Sequence, residues 1–338
     1  LKRIAAILAA AIAWTLALVT SAWAHEVRPA YLEIDQTGPG NYTAIWKLPA
    51  MGDVAIHLTP HLSNGWLDRP PSDQYAAAGY LVKTWTIHSG APAPMAGASV
   101  TIEGLEQTIT DVFVRVRLKN GQGQDGILRP ETPSMKIALV NGSGLSGLEV
   151  LGLGVEHILT GPDHLLFVLG LLLLVRDRWM LVKTVSAFTA AHSLTLAAAS
   201  FGLIDLPLSL LNALIALSIL FLAPEIIRAR RGGTSLTIRH PWVVAFAFGL
   251  LHGMGFAGGL KALGLDRSAL LIALVLFNVG VEIGQLAFIA LVLALRRAFR
   301  LMQIDWPRPL AAAPTYAIGV LGAAWTFQYA ALMFGMAA

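Results

Sequence analysis

Four histidines and two carboxylates fall inside strongly apolar stretches of the second half of the chain: His157, Asp163, His164, His192, His252 and Glu282. An ionisable group in such a stretch is costly, so it usually faces a helix-bundle interior and serves a site or a pathway. Neutral imidazole and carboxylate together suit a divalent transition metal: nickel, cobalt, zinc, copper(II) or iron. Magnesium and calcium prefer all-oxygen sites. The chain has no cysteine, so soft copper(I) is not favoured, although eight methionines are available. Taken singly, each histidine is more often a hydrogen-bonding contact between helices than a ligand. Three apolar stretches that each carry a central histidine point to one shared polar site.

Spacing supports convergence. His157 and His164 are seven residues apart, two helical turns, so both can face the same way. Asn278, Glu282 and Gln285 stand at i, i+4 and i+7, which is one helical stripe. Gly161-Pro162 interrupts the first stretch, and a proline there removes a backbone donor and breaks or kinks the helix. Thr160 is expected to cap a second half-helix, with Asp163 three residues on as in a capping box. Broken helices near the membrane midplane are a recurring way to build ion sites. The positive end of a half-helix opposes a cation, and the Asp163 carboxylate would have to outweigh it. Glu156, Ser193, Glu225, Asn278 and Gln285 are candidate pathway residues. Glu156 could instead face the outer interface, and Glu225 could pair with Arg228 or snorkel. Gly249, Gly253, Gly255, Gly258 and Gly259 would allow close helix packing.

The elements that must position these groups follow from composition. Of 338 residues, 56% are hydrophobic and 13% charged, against about 25% charged in soluble domains. Mean hydropathy is +0.65. A wholly soluble protein, a disordered chain and a disulfide scaffold are excluded. There is no Arg/Lys run interleaved with aromatics, so no nucleic-acid partner is expected. There is no Walker A motif, so ATP hydrolysis by this chain is not expected. Six membrane spans are expected at about 147–175, 180–201, 206–227, 241–261, 268–295 and 312–335. Loops 176–183, 228–239 and 296–308 hold eleven basic residues, while the opposite loops hold only Lys261 and Arg267. The positive-inside rule makes the basic side cytoplasmic.

The N-terminal part reads differently. Lys2 and Arg3, the apolar run Ile4–Val19 and Ala22-Trp23-Ala24 fit a secretory signal peptide over 1–24. An uncleaved anchor helix is the alternative. Cleavage would leave His25 as the mature N-terminus, where an α-amine beside an imidazole is a candidate metal chelate. Over 25–140, seven short runs rich in β-branched and aromatic residues alternate with turn signals: Ala30–Asp35, Tyr42–Leu48, Val54–Leu58, Thr84–His88, Ser99–Glu103, Asp111–Leu118 and Met135–Val140. They predict an extracytoplasmic β-sandwich-like domain. The segments Arg69–Pro71 and Asn120–Gly126 are expected to be loops. His57 and His61 would share a strand face if Pro60 did not break the strand. They and His88 read as surface or packing residues. The expected fold is mixed: this β-rich domain, then a six-helix transmembrane bundle over 145–338.

Several stretches together resemble the HupE/UreJ family of hydrogenase and urease accessory membrane proteins, in its branch with an N-terminal extracytoplasmic domain. They are His25–Ala30 (HEVRPA), Gly154–His164 (GVEHILTGPDH), Phe188–Thr195 (FTAAHSLT), His252–Ala257 (HGMGFA) and Phe277–Gln285 (FNVGVEIGQ). The resemblance implies a secondary nickel or cobalt permease, with His157, Asp163 and His164 as the metal motif and His192 and His252 in further family-like motifs. Shorter members carry a His-Pro pair in the first motif, where Ile158 follows His157 here. A multi-pass protein of the bacterial inner membrane is expected, with membrane lipid around it, a metal ion as substrate and metalloenzyme maturation proteins as candidate partners. Two other classes compete. One is a non-transporting metal sensor or assembly factor. The other is an intramembrane zinc hydrolase built on three histidines and Ser193, although no HExxH motif is present. Enzymatic activity is not expected.

Overall fold

The computed structural model describes residues 29–51, 54–55, 57–77, 80–89, 95–108, 110–141, 146–204, 206–257, 267–302 and 308–333. The expected signal peptide and His25 lie outside the described residues. The strands and the helices form two separate compact units.

In the first unit, alternating apolar residues build two sheets. The strands are β1 (Ala30–Gly38), β2 (Asn41–Met51), β3 (Val54–Ala55), β4 (Thr59–Leu62), β5 (Asp73–Ala77), β6 (Tyr80–His88), β7 (Ser99–Glu103), β8 (Val112–Arg117), β9 (Gln122–Leu128), β10 (Ser134–Lys136) and β11 (Val140–Asn141). The larger sheet has the order β11-β9-β8-β1-β2-β6-β5, with β3 paired to β2, and the smaller one β10-β7-β4. Only β1 and β8 pair in parallel among these strands. The two-residue period sends Leu32, Ile34, Ala44, Trp46, Val114 and Val116 of the larger sheet into one core with Leu62, Val100 and Ile102 of the smaller.

Three expectations are corrected here. The Gly-rich stretch Asn120–Gly126 is not a loop throughout. From Gln122 it is strand β9, because Asp125 stands opposite Arg115 and receives two hydrogen bonds from it, at 3.0 and 3.1 Å. Pro60 does not end its strand. It lies in β4, the edge of the smaller sheet, where a missing N–H is tolerated. The run Met135–Val140 is split between β10 and β11, which belong to different sheets, and β5 (Asp73–Ala77), exposed along its length, had no apolar signal.

The second unit is helical: α1 (Gly147–Thr160), α2 (Pro162–Leu174), α3 (Arg178–Ser200), α4 (Leu208–Arg230), α5 (Leu236–Arg239), α6 (Pro241–Gly255), α7 (Arg267–Leu301) and α8 (Arg308–Met333). The expected first span is two helices meeting at 72°. Thr160 does not cap the second. It ends the first, its hydroxyl donating to the Glu156 carbonyl at 2.7 Å, and Gly161 is the N-cap with Pro162 in the first turn. Among the described residues α4 and α7 are long and apolar enough to cross a membrane, and the bent α1–α2 pair makes a third candidate. The six-span pattern is therefore met only in part. Helix α6 has 15 residues, and α3 carries Thr184, Ser186, Thr189, His192, Ser193 and Thr195, which lower its hydropathy.

Candidate metal centre

The break at Gly161-Pro162 is the organising element. Helix α1 delivers His157 in its last turn, and α2 starts afresh with Asp163 and His164 in its first. A Cβ on Gly161 would lie 2.9 Å from the His157 carbonyl oxygen and 2.9 Å from His164 Nδ1, so the turn has no room for a side chain. Other glycines bring in the remaining helices. Gly154 and Gly280 let α1 and α7 meet backbone to backbone, against Phe277 and Leu151 respectively. Gly249 and Gly253 do the same for α6 against α3, where they face the carbonyls of Phe188 and His192. These close approaches are what carry His192 and His252 to the break.

All four intramembrane-type histidines converge. Ring centroids are separated by 4.7 Å for His157 and His164, 6.1 Å for His157 and His192, 6.1 Å for His164 and His192, and 5.0 Å for His164 and His252. His192, His252 and His164 are 0%, 1% and 3% exposed. Two overlapping ligand sets result. Potential ligand atoms of His157, His164 and His192 lie within 4.8 Å of one another, as do those of Asp163, His164 and His252. His164 belongs to both sets. Its Nδ1–H donates to Asp163 Oδ1 at 3.1 Å.

The hydrogen-bond pattern is that of a ligand cradle. Nε2 of His157, Nε2 of His192 and Nδ1 of His252 are buried with no hydrogen-bond partner among the described residues, a costly arrangement for a polar atom unless something binds it. Phenylalanine pairs bound the cluster. Phe256 and Phe277 stack 4.9 Å apart, with their rings 4.5 and 5.4 Å from His157. Phe167 and Phe188 are 5.1 Å apart, each 5.2 Å from His252. Apolar walls of this kind exclude water and strengthen electrostatic interactions inside.

The other candidates are placed as follows. Asn278 joins the cluster through His192, at 3.2 Å. Glu282 accepts from Ser186 at 2.6 Å, and Gln285 accepts from Thr189 at 3.0 Å. These two form a polar seam between α3 and α7 rather than part of the histidine sets. Ser193 donates to the Thr189 carbonyl at 2.7 Å. Glu225 is buried and bonded to Arg228 and Ser235, away from the histidines. Glu156 is half-buried on α1. Sequence reading missed Ser186, Thr189 and Ser218. Ser186, Thr189 and Ser193 repeat at i, i+3 and i+7 beside His192, a polar stripe that could have been found. Ser218 stands alone in a run of apolar residues of α4, and only its bond to His252 gives it meaning.

In the β unit, His61 is held at both ring nitrogens, by Asp68 at 2.7 Å and Glu103 at 2.9 Å. The Asp68 hydrogen bond, then the Glu103 one, raise its pKa above the ordinary value, against a smaller lowering by burial. His88 bonds Asn41 at 2.8 Å.

The model of one protein family, HupE / UreJ protein, matches residues 136–329. The chain belongs to the HupE/UreJ family. The matched segment holds every helical residue of the candidate centre, while β1–β9 precede it. HupE/UreJ proteins are associated with nickel and cobalt accessory or transport roles, and the histidine and aspartate sets here could bind such a metal. No curated protein and no solved structure matches the chain.

Proposed function

We propose that this HupE/UreJ protein is a secondary transporter for a divalent transition metal, with nickel or cobalt favoured as substrate. The observation that supports this most is the convergence of His157, Asp163, His164, His192 and His252 on one break in a helix. Two ligand sets sharing His164 provide a path in which a metal passes from one set to the other without losing all its ligands at once. A resident structural metal would need only one closed set. Zinc, copper(II) and iron satisfy the same donors and are the competing substrates.

The helical unit is read as six crossings of a bacterial inner membrane, α1 with α2 counting as one and α5 as a short connecting helix. The eleven basic loop residues then face the cytoplasm. The β unit and the C-terminus are extracytoplasmic, in keeping with a signal peptide over 1–24. His25 would be a capture ligand at the mature N-terminus. The seam of Glu282, Gln285, Thr189 and Ser186 continues from the centre along α3 and α7 and is assigned to the transport pathway. The protein is proposed to carry out no covalent chemistry, and the Ser193 hydroxyl is engaged with a backbone carbonyl rather than with a histidine. Its partners are membrane lipid, the metal and metalloenzyme maturation proteins.

The test is metal uptake into proteoliposomes containing the mature chain, with nickel, cobalt, zinc, copper and iron in competition. Saturable flux of one metal, lost in His157→Ala/His164→Ala protein, is the expected result. Tight binding without flux would overturn the transporter and leave a sensor or assembly factor.

A further inference from the structure

Two of the clustered histidines are gripped from outside the ligand sets, and the grips determine which nitrogen of each is free. Ser218 on α4 is 1% exposed. Its hydroxyl donates to the Ile215 carbonyl at 2.6 Å, and its oxygen lies 3.2 Å from His252 Nε2. A hydroxyl has one proton. With that proton on the shorter bond, the oxygen can only accept from His252, so Nε2 carries hydrogen and Nδ1 keeps its lone pair. Asn278 on α7 repeats the logic. Its Nδ2 donates to the Leu274 carbonyl at 2.7 Å, which orients the amide, and its Oδ1 then faces His192 Nδ1 at 3.2 Å. His192 must donate from Nδ1, and its Nε2 keeps the lone pair. The two nitrogens left with lone pairs, His252 Nδ1 and His192 Nε2, are both buried without hydrogen-bond partners among the described residues.

We infer that Ser218 and Asn278 are positioning residues that lock opposite tautomers on His252 and His192, so that His252 presents Nδ1 and His192 presents Nε2 to the metal. This rests on the metal-transport reading for its purpose, but the tautomers themselves do not. Partners of the non-coordinating nitrogen orient a histidine and raise its basicity, and losing one typically weakens metal binding by about 10- to 100-fold. Ser218 would act across a helix interface without touching the metal.

The experiment uses the full chain in detergent, labelled with ¹⁵N-histidine. Long-range ¹H–¹⁵N spectra of the metal-free protein read each tautomer, and nickel titration calorimetry reads affinity. Expected are an Nε2–H His252 and an Nδ1–H His192 in the unsubstituted protein. Ser218→Ala should release the His252 tautomer, leave His192 unchanged and weaken nickel binding about 10- to 100-fold. Ser218→Thr, which keeps the hydroxyl, should restore both readouts. Asn278→Leu should release His192 alone. An Nδ1–H His252 in the unsubstituted protein, or a Ser218→Ala protein with tautomer and affinity unchanged, overturns the inference. If the unsubstituted protein binds no metal but shows the expected tautomers, the transport reading fails and the tautomer lock stands.

Discussion

Gly253 packs against the main-chain carbonyl of His192 in a space too small for any side chain. The contact joins the two helices that carry His192 and His252, so their separation is set by a missing methyl group. Thr195 crowds the same place from α3.

Gly253→Ala should therefore force α3 and α6 apart. Overpacking of this kind costs about 1–3 kcal/mol. The expected result is a lower unfolding temperature together with weaker nickel binding, because His252 moves with α6. An unchanged thermal transition would show that the two helices are free to separate without cost.

His164 is shared by both ligand sets. His164→Ala should weaken metal binding more than either His157→Ala or His252→Ala, each of which leaves one set whole. A loss of at least about a hundredfold, ~2.7 kcal/mol, is expected by calorimetry. Equal losses for all three variants would argue for one set of four histidines.

Glu282 bonds Ser186 rather than a histidine. Glu282→Gln should leave equilibrium nickel affinity within about threefold, well under the tenfold that corresponds to 1.4 kcal/mol, while uptake into proteoliposomes slows by at least that tenfold. If affinity falls as far as uptake, Glu282 acts as a ligand.

Arg115 and Asp125 form a bidentate ion pair whose side chains are 9% and 6% exposed. Removing one partner strands a buried charge, which costs about 3–5 kcal/mol. Asp125→Ala should accelerate hydrogen exchange at the β8–β9 amides of the full chain. Replacing both, as Arg115→Met/Asp125→Leu, should recover most of the protection.

His61 makes the β unit sensitive to pH. Its pKa is raised in the folded state, first by Asp68 and then by Glu103. The folded form thus holds the proton more tightly than the unfolded one, and the clamp is fully present below the ordinary value of 6.5. It weakens as pH rises through the raised folded value. His61 lies partly in solvent, which screens its two ion pairs. The expected result is a modest stability loss as pH rises from 6.5 through the raised folded value, absent in His61→Gln. Metal binding at the helical centre should run the other way, since imidazole and carboxylate ligands must give up protons to coordinate.

Residue type alone identified the metal-binding candidates. An imidazole in an apolar helix is too costly to be accidental in such number, and Gly161-Pro162 can only interrupt a helix. The strand pattern of β1 and β2 was equally legible, because one more deeply buried face imposes a two-residue period. Strand β8 alternates in residue type although Phe113 and Arg115 on its other face are buried too. Elements whose stability comes from a distant partner were not. Polar, Gly-rich β9 exists because Arg115 holds Asp125, and β4 tolerates Pro60 because it is an edge. The same limit applied to the centre. Spacing put His157 and His164 on one side of a helix, but a 72° bend brings His164 onto a second axis and toward His252. Asn278, Glu282 and Gln285 lie on one stripe, yet only Asn278 reaches a histidine. Ser218 shows no periodic signal at all. Its role comes from the crossing of α4 with α6, a packing geometry that local spacing does not encode.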